Sequence, residues 1–394
     1  MFELIAQAPP DAILGLSEAF AADSHTDKIN LAVGVYKDAA GQTPVLRCVK
    51  AAEGMLIESE ATKTYLGIEG LPDYRQHVRR LLFGESLDPG RVAVVQTPGG
   101  TGGVRVAADF VASQFPAATV WVSNPTWENH VNVFAAAGLA TKPYRYLDGS
   151  RTGLDFEAML DDLNRHSSPG DVVLLHACCH NPTGVDPTQV QWEQIAQVLS
   201  DKQLLPLIDF AYQGFGRGID EDASGLQAVL KKCPELLVAS SFSKNFGLYS
   251  ERVGAAVLVA GDAQAAAASM SQLKRVVRSN YSNPPRHGAA VVATVLGDES
   301  LASLWREELA EMRLRIAQMR RSLVAALQAG GAKRDFGFLL HQAGMFSYTG
   351  LTPMQVDRLR TEKHLYIVGS GRINVAGITP ANLPRLTDAL LSVL

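Results

Sequence analysis

Ser241-Phe242-Ser243-Lys244-Asn245-Phe246-Gly247-Leu248-Tyr249-Ser250-Glu251-Arg252 follows the apolar run Leu236-Leu237-Val238-Ala239. One lysine stands just after two serines, with an arginine eight positions further on. At the end of a buried strand, that order sets an amine where it can capture a carbonyl. The hydroxyls and the guanidinium beside it suit a phosphate. A surface lysine in a polar loop is the plainer reading of this stretch, so the neighbouring segments must decide.

Working outward, short apolar runs alternate with helical patterns. The strand candidates are Val92–Gln96, Thr119–Val122, Val172–His176, Leu204–Asp209, Leu236–Ser240 and Ala255–Val259. Most are continuous rather than alternating, as in parallel strands buried on both faces. Helical stretches such as Val104–Gln114, Gln191–Ser200 and Ala223–Lys231 lie between them. This rhythm predicts an α/β fold, with a mostly parallel central sheet and helices on both faces. From Glu299 to about Ala329 runs a long charged helix pattern. Strand-like pieces follow at Leu339–Tyr348 and Tyr366–Val368, with a helix over Thr352–Lys363 between them, Thr352 as its N-cap and Pro353 at its first position. The expected division is an N-terminal arm and small-domain segment over 1–43, a large domain over 44–310, and a smaller α+β domain over 311–394.

In open α/β sheets, ligands bind beyond the carboxyl ends of the strands. The unusual residues of this chain fall at those ends. Gly99-Gly100-Thr101 opens a helix whose exposed N–H groups favour a phosphate. Trp127 lies just past another strand end and can stack on a flat ring. Asn181, in Asn181-Pro182-Thr183-Gly184, can donate into the cleft. Asp209 ends a very apolar strand, where a carboxylate calls for a cationic partner such as a protonated pyridine nitrogen; Tyr212 follows it. Lys244 closes the series. Together these are the parts needed to hold pyridoxal 5'-phosphate. Each has a plainer alternative: a strand-to-helix turn, a core tryptophan, a shaped turn, or an N-cap aspartate.

Bulk composition bounds the rest. The 394 residues are 47% hydrophobic and 19% charged, with net charge −4, and carry no long basic run. Nucleic acid is therefore not an expected partner. No apolar run is long enough to span a membrane, and the first 27 residues lack Lys and Arg, so a cytoplasmic location is expected. Cys48, Cys178, Cys179 and Cys233 read as reduced thiols. His176 and His180 beside the adjacent cysteines lack a matching second cluster, and no metal is expected.

End to end, from Asn30-Leu31-Ala32-Val33-Gly34-Val35-Tyr36-Lys37-Asp38 to Gly371-Arg372-Ile373-Asn374, the chain resembles fold-type I, class I aminotransferases of the aspartate/aromatic subgroup. The Asn181–Gly184, Asp209–Phe215 and Ser243–Tyr249 motifs, with Arg278-Ser279-Asn280-Tyr281-Ser282-Asn283-Pro284-Pro285, carry the resemblance. It implies that Lys244 holds pyridoxal phosphate and shuttles the substrate proton. Asp209 would pair with the pyridinium nitrogen, Tyr212 and Asn181 with the phenolic oxygen, and Trp127 with the ring. Gly99, Gly100, Thr101, Ser241, Ser243 and Arg252 would receive the phosphate.

The resemblance further implies a homodimer with shared active sites, in which Tyr65 and Arg278 reach the neighbouring subunit's cleft. Arg372 would grip the α-carboxylate of the amino acid or 2-oxo acid, and Gly34 would lie where the protein closes over substrate. His130 and His176 would support Asp209. The implied reaction is amino transfer between aspartate, with aromatic amino acids also accepted, and 2-oxoglutarate. A mainly aromatic enzyme, an elimination or decarboxylation on the same cofactor, and a non-catalytic cofactor-sensing module remain the alternatives.

Overall fold

The computed structural model describes residues 1–7 and 14–394. The arm expected over 1–43 includes residues 8–13, which lie outside the described residues.

A short strand β1 (Ile29–Asn30) precedes the strands of a seven-stranded sheet: β2 (Val92–Pro98), β3 (Val120–Asn124), β4 (Thr141–Arg145), β5 (Val172–His176), β6 (Leu205–Phe210), β7 (Leu236–Ser241) and β8 (Val253–Val259). Their order is β2-β8-β7-β6-β5-β3-β4. The pairs β7·β6, β6·β5, β5·β3 and β3·β4 are parallel, and β8 runs antiparallel to both β7 and β2. The apolar runs form strands because both faces are covered: every residue of β5, β7 and β8 is buried.

Two departures from the sequence reading have local causes. The first is β4, which no apolar run announces. It is an edge strand, with three residues exposed or half-buried in its first three positions and Pro143 among them, and an edge position tolerates proline. The second is the reversal at β8. The link from β7 to β8 is the Lys244 loop with no crossover helix, and such a connection suits an antiparallel return.

Helices cover both faces. Gly99–Gln114 packs on β7 and β8, with Ala263–Asn280 beside it. Val104, Val106, Phe110 and Val122 belong to this side's core. The opposite core joins Ile208, Phe242 and Phe246 to the long helix Glu299–Ala329 through Trp305, Leu309 and Ile316. That helix starts where Asp298 Oδ1 accepts the Leu301 N–H at 2.9 Å, an N-cap. Pro353–Lys363 is helical, with Thr352 and Gln355 forming a capping box. The piece expected as strand over Leu339–Tyr348 is instead a 3-10 turn, Gly337–His341, followed by β9 (Phe346–Tyr348). β10 (Leu365–Tyr366) pairs parallel with β1, and β11 (Arg372–Asn374) antiparallel with β9. The β9·β11 pair is what delivers Arg372 to the mouth of the large sheet. Among the described residues, no helix is long and apolar enough to cross a membrane.

Candidate active site

A cavity of about 240 Å³ opens at the carboxyl ends of the parallel strands, as the topology of an open α/β sheet requires. Of the residues singled out in the sequence, Gly34, Gly100, Thr101, Trp127, Asn181, Asp209, Tyr212, Ser241, Ser243, Lys244, Arg252 and Arg372 line it. Gly99, Tyr65 and Arg278 do not: Gly99 is buried at the start of its helix, Tyr65 is 90% exposed, and Arg278 is exposed on its helix, bonded to Ser282 Oγ at 2.5 Å.

One end of the cavity is built for an anion. The helix Gly99–Gln114 begins after Pro98 with no side-chain cap, so its first-turn N–H groups have no partner within the helix. Gly99 has φ +74°, and a Cβ there would fall 2.5 Å from Arg252 Nη2. Only glycine lets the guanidinium close against the turn. Arg252 Nη1 reaches Ser243 Oγ at 3.4 Å and the Tyr249 carbonyl at 3.1 Å, while Ser241 Oγ lies 3.2 Å from Ser243 Oγ. Two hydroxyls, a guanidinium and free backbone donors thus face one point.

The floor carries the amine and the carboxylate. Lys244 is half-buried, with Nζ 4.8 Å from the Tyr212 ring centroid. Burial, reinforced by the positive charges of Arg252 and Arg372 and opposed by Asp209, brings its amine down to about 8. Asp209 is buried, and burial alone would raise its carboxyl. The hydrogen bond from His130 Nε2, 3.1 Å from Oδ2, together with the positive charge of Lys244, holds it below the ordinary value. Thr126 Oγ1 lies 2.9 Å from His130 Nδ1 and 3.3 Å from His176 Nε2. Burial pushes the His176 imidazole down to about 3, with His130 adding to the effect and Asp209 opposing it, so His176 is a neutral support.

The third wall selects a carboxylate. Arg372 is 3% exposed; its Nη1 donates to Asn181 Oδ1 at 3.1 Å and its Nη2 to the Ala32 carbonyl at 2.6 Å. Its Nε is buried without a partner, a costly state unless a ligand completes it. Asn181 Nδ2 lies 3.5 Å from the Tyr212 hydroxyl. Burial, partly offset by Arg372, raises the Tyr212 phenol well above its usual value. Phe346 lies under Arg372, ring centroid 4.2 Å from Cζ, and a Cβ on Gly34 would come 2.7 Å from its Cζ. Sequence reading missed Phe346 because it arrives on β9 without a motif. It also assigned no role to Tyr249, which lines the cleft and accepts the Tyr36 N–H at 3.0 Å.

The histidines near the adjacent cysteines are engaged elsewhere: His180 Nε2 contacts Ser123 Oγ and its Nδ1 contacts Thr183 Oγ1, each at 2.8 Å. Among the described residues, Cys178, Cys179 and Asp222 are the one group whose ligand atoms gather within 4.8 Å. The Asp222 oxygens there already accept the backbone N–H groups of Gly214, Gly216 and Arg217. All four cysteines are free and buried.

A seven-stranded α/β sheet with a lysine, a supported carboxylate and an anion-binding helix start at one cleft defines a fold-type I enzyme. The chain belongs to the class I and II aminotransferase family: residues 26–390 match Aminotransferase class I and II. It is 54% identical to the aspartate aminotransferase of Escherichia coli (strain K12) over 100% of each chain. It is 49% identical to an aromatic-amino-acid aminotransferase of Pseudomonas aeruginosa, over 100% of this chain and 98% of that one. The crystal structure of the aromatic-amino-acid aminotransferase from Burkholderia pseudomallei covalently bound to pyridoxal phosphate superposes with a TM-score of 0.96 at 46% identity, covering 100% of this chain and 99% of the other.

Proposed function

We propose that this protein transfers an amino group between an L-amino acid, with aspartate favoured and aromatic amino acids accepted, and 2-oxoglutarate, using pyridoxal 5'-phosphate. The observation that carries the reading is the half-buried Lys244, its amine drawn toward neutrality, sharing one cleft with Asp209, Arg252 and Arg372.

The residues present fit the cofactor. The uncapped turn at Gly99, Gly100 and Thr101, with Ser241, Ser243 and Arg252, matches a phosphate in charge and in donors. Asp209, kept ionised by His130, matches a pyridinium nitrogen. Asn181 and Tyr212 offer donors for a phenolic oxygen, and Trp127 offers an aromatic face. Lys244 would hold the cofactor through its aldehyde until the substrate's amine takes that place, and the cofactor would supply an electron-accepting ring that stabilises negative charge developing at the amino acid's Cα. The chain's own residues do the rest. Arg372 clamps the substrate α-carboxylate, filling its open Nε, and so fixes which Cα bond faces the amine. Lys244 Nζ, released when the substrate's amine replaces it, then takes the proton from Cα, a task suited to an amine titrating near neutrality. Trp127 and Phe346 give the cleft apolar walls, which supports the acceptance of aromatic side chains.

The same reading makes the protein a cytoplasmic homodimer. In the single chain Tyr65 and Arg278 stand exposed outside the cleft, which supports their reaching a neighbouring subunit's cofactor phosphate and substrate side-chain carboxylate. The division into an arm over 1–43, a large domain over 44–310 and a small domain over 311–394 is part of this proposal, and the pairing of β1 with β10 supports the first boundary. The purified protein should carry a visible absorbance band that disappears on borohydride treatment with Lys244 modified. Its kcat/KM for aspartate should exceed that for phenylalanine. Absence of the band sinks the cofactor reading; a large preference for phenylalanine reverses the substrate order.

A further inference from the structure

Two carboxylates, Asp222 buried and Asp186 half-buried, lie behind the cleft rather than in it. Asp186 follows the Asn181 turn. Its Oδ2 accepts the Cys179 N–H at 2.7 Å and its Oδ1 the His180 N–H at 2.8 Å. These are the residues immediately before Asn181, and Cys179 holds φ +52°, a conformation that an ordinary side chain adopts only when its surroundings impose it. Asp222 does the same for the loop after Tyr212. Its Oδ2 accepts the N–H groups of Gly214 at 2.8 Å and Gly216 at 2.9 Å, and its Oδ1 that of Arg217 at 2.8 Å. Both carboxylates reach the adjacent cysteines: an Asp222 oxygen gathers with the Cys178 and Cys179 sulfurs within 4.8 Å, and Asp186 holds the Cys179 N–H.

Among the described residues neither acid has a close ion pair, although Asp222 is buried and Asp186 half-buried. Arg217 approaches Asp186, but its Nη2 donates to the Glu221 carbonyl and Ser224 Oγ. A buried carboxylate without a salt bridge is costly, and here backbone N–H groups replace the counter-ion. That arrangement fixes two loops at once: the one ending in Asn181 and the one leaving Tyr212. The loops meet where Asn181 Nδ2 faces the Tyr212 hydroxyl and Asn181 Oδ1 accepts from Arg372.

We propose that Asp186 and Asp222 form a carboxylate pair that positions Asn181 and Tyr212 for the transamination reaction, acting through the backbone of their two loops. The proposal rests on the aminotransferase reading above. The pair is also sensitive to pH. Burial raises the Asp186 carboxyl to about 6, with Asp222 adding to the rise and the Cys179 and His180 N–H groups and Arg217 opposing it. Burial raises Asp222 as well, against its backbone donors. Other titratable groups close by are Tyr146, whose phenol is raised by burial and by Asp186, and the Cys178 and Cys179 thiols, both raised, with the Arg320 guanidinium near Cys179. When Asp186 takes a proton it becomes a poorer acceptor for two N–H groups, and the Asn181 turn loosens.

The test uses the pyridoxal-phosphate-loaded enzyme and reads the pH titration of its visible absorbance band. Asp186→Asn offers one amide oxygen and one NH₂ to two N–H donors, so one donor loses its acceptor. The midpoint of the band's titration should rise by about half a unit to one unit. The same substitution in an Asn181→Ala background should add no further shift, because the effect travels through Asn181. Hydrogen exchange supplies a readout that needs no variant: in the wild type, protection of the Cys179 and His180 amides should fall as pH drops through about 6. Should Asp186→Asn fail to fold, that exchange profile decides. An unchanged midpoint, a full shift retained without Asn181, or pH-independent protection overturns the proposal. A wild-type protein with no titrating band overturns the underlying reading instead, so the two failures are distinguishable.

Discussion

His130 Nε2 and Asp209 Oδ2 meet at 3.1 Å, with the imidazole completely buried and the carboxylate opening onto the cleft. This contact keeps an anion at the end of an apolar strand. Burial acts to raise the Asp209 carboxyl, and the His130 hydrogen bond with nearby positive charge overrides it, leaving the group depressed below 3.8. A depressed carboxyl contributes stability above its unfolded value, and that contribution is lost as pH falls through the folded value. His130→Ala should therefore raise the pH midpoint of acid unfolding. A hydrogen bond to a charged group is worth about 1.5–3 kcal/mol, so kcat should fall roughly 10- to 150-fold. Acid titration followed by circular dichroism, with kcat alongside, checks both.

Lys244 makes the opposite pH prediction. Burial, with Arg252 and Arg372, depresses its amine from 10.5 to about 8. Between those values the unfolded chain binds the proton and the folded chain does not, so this group adds stability as pH rises across the window. Below it the charged amine strains the fold. Lys244→Met in the cofactor-free protein should raise Tm at pH 7 relative to wild type and flatten the rise in Tm between pH 8 and 10. With cofactor present, the same change should reduce kcat by about 10²- to 10⁴-fold or more, the usual weight of a positioned general base. A variant Tm at or below that of wild type at pH 7 contradicts the strained-amine argument.

The cleft was legible in the sequence to the extent that its parts sit at strand ends. Continuous apolar runs stop at Asp209 and just before Lys244, and the change from apolar to polar marks both the strand end and the functional residue. Direction was not legible: Ala255–Val259 looks the same whether β8 runs parallel or antiparallel, because hydrophobicity carries no polarity along the chain. β4 escaped because an edge strand needs no apolar face on its open side. Phe346 escaped because it reaches Arg372 only through the β9·β11 pairing, a contact between segments far from the sheet motifs. Asp186 reads as an ordinary loop acid until the two N–H groups that it accepts are seen. Tyr65 and Arg278 were found by resemblance alone, and nothing in the single-chain cleft would have drawn attention to them.

Beneath the Lys244 loop, Trp305 stacks on Phe246 with centroids 4.6 Å apart, and its Nε1 donates to the Asn245 carbonyl at 2.8 Å. The long helix thus braces the loop that carries the lysine. Trp305→Ala removes a side chain that is 1% exposed and leaves the Asn245 carbonyl without its donor. The expected loss of stability is about 3–5 kcal/mol, measurable by urea unfolding. Trp305→Phe should recover the stacking but not the hydrogen bond, giving a smaller loss.

Arg278→Leu should separate the substrate classes. If the exposed guanidinium serves a side-chain carboxylate in the neighbouring subunit, kcat/KM for aspartate and glutamate should fall about 10- to 150-fold, the weight of a charged hydrogen bond. The value for phenylalanine should change little or rise. Comparable losses for both classes would remove Arg278 from the specificity role.

Arg372→Lys should behave differently, because every substrate shares the α-carboxylate. The guanidinium divides its donors among Asn181 Oδ1, the Ala32 carbonyl and a free Nε. An ammonium is a point charge on a flexible stem and cannot hold all three directions at once. Burial already lowers the Arg372 guanidinium, and a lysine in the same place, starting from a lower ordinary value, would surrender its charge more readily. KM for aspartate, glutamate and phenylalanine should therefore rise together, by roughly 10- to 150-fold for the loss of one charge-assisted hydrogen bond. The rise should be smaller at low pH, where the introduced amine regains its proton. A loss confined to dicarboxylates would assign Arg372 to the side chain rather than to the α-carboxylate, and the orientation of substrate along the cleft would have to be reversed.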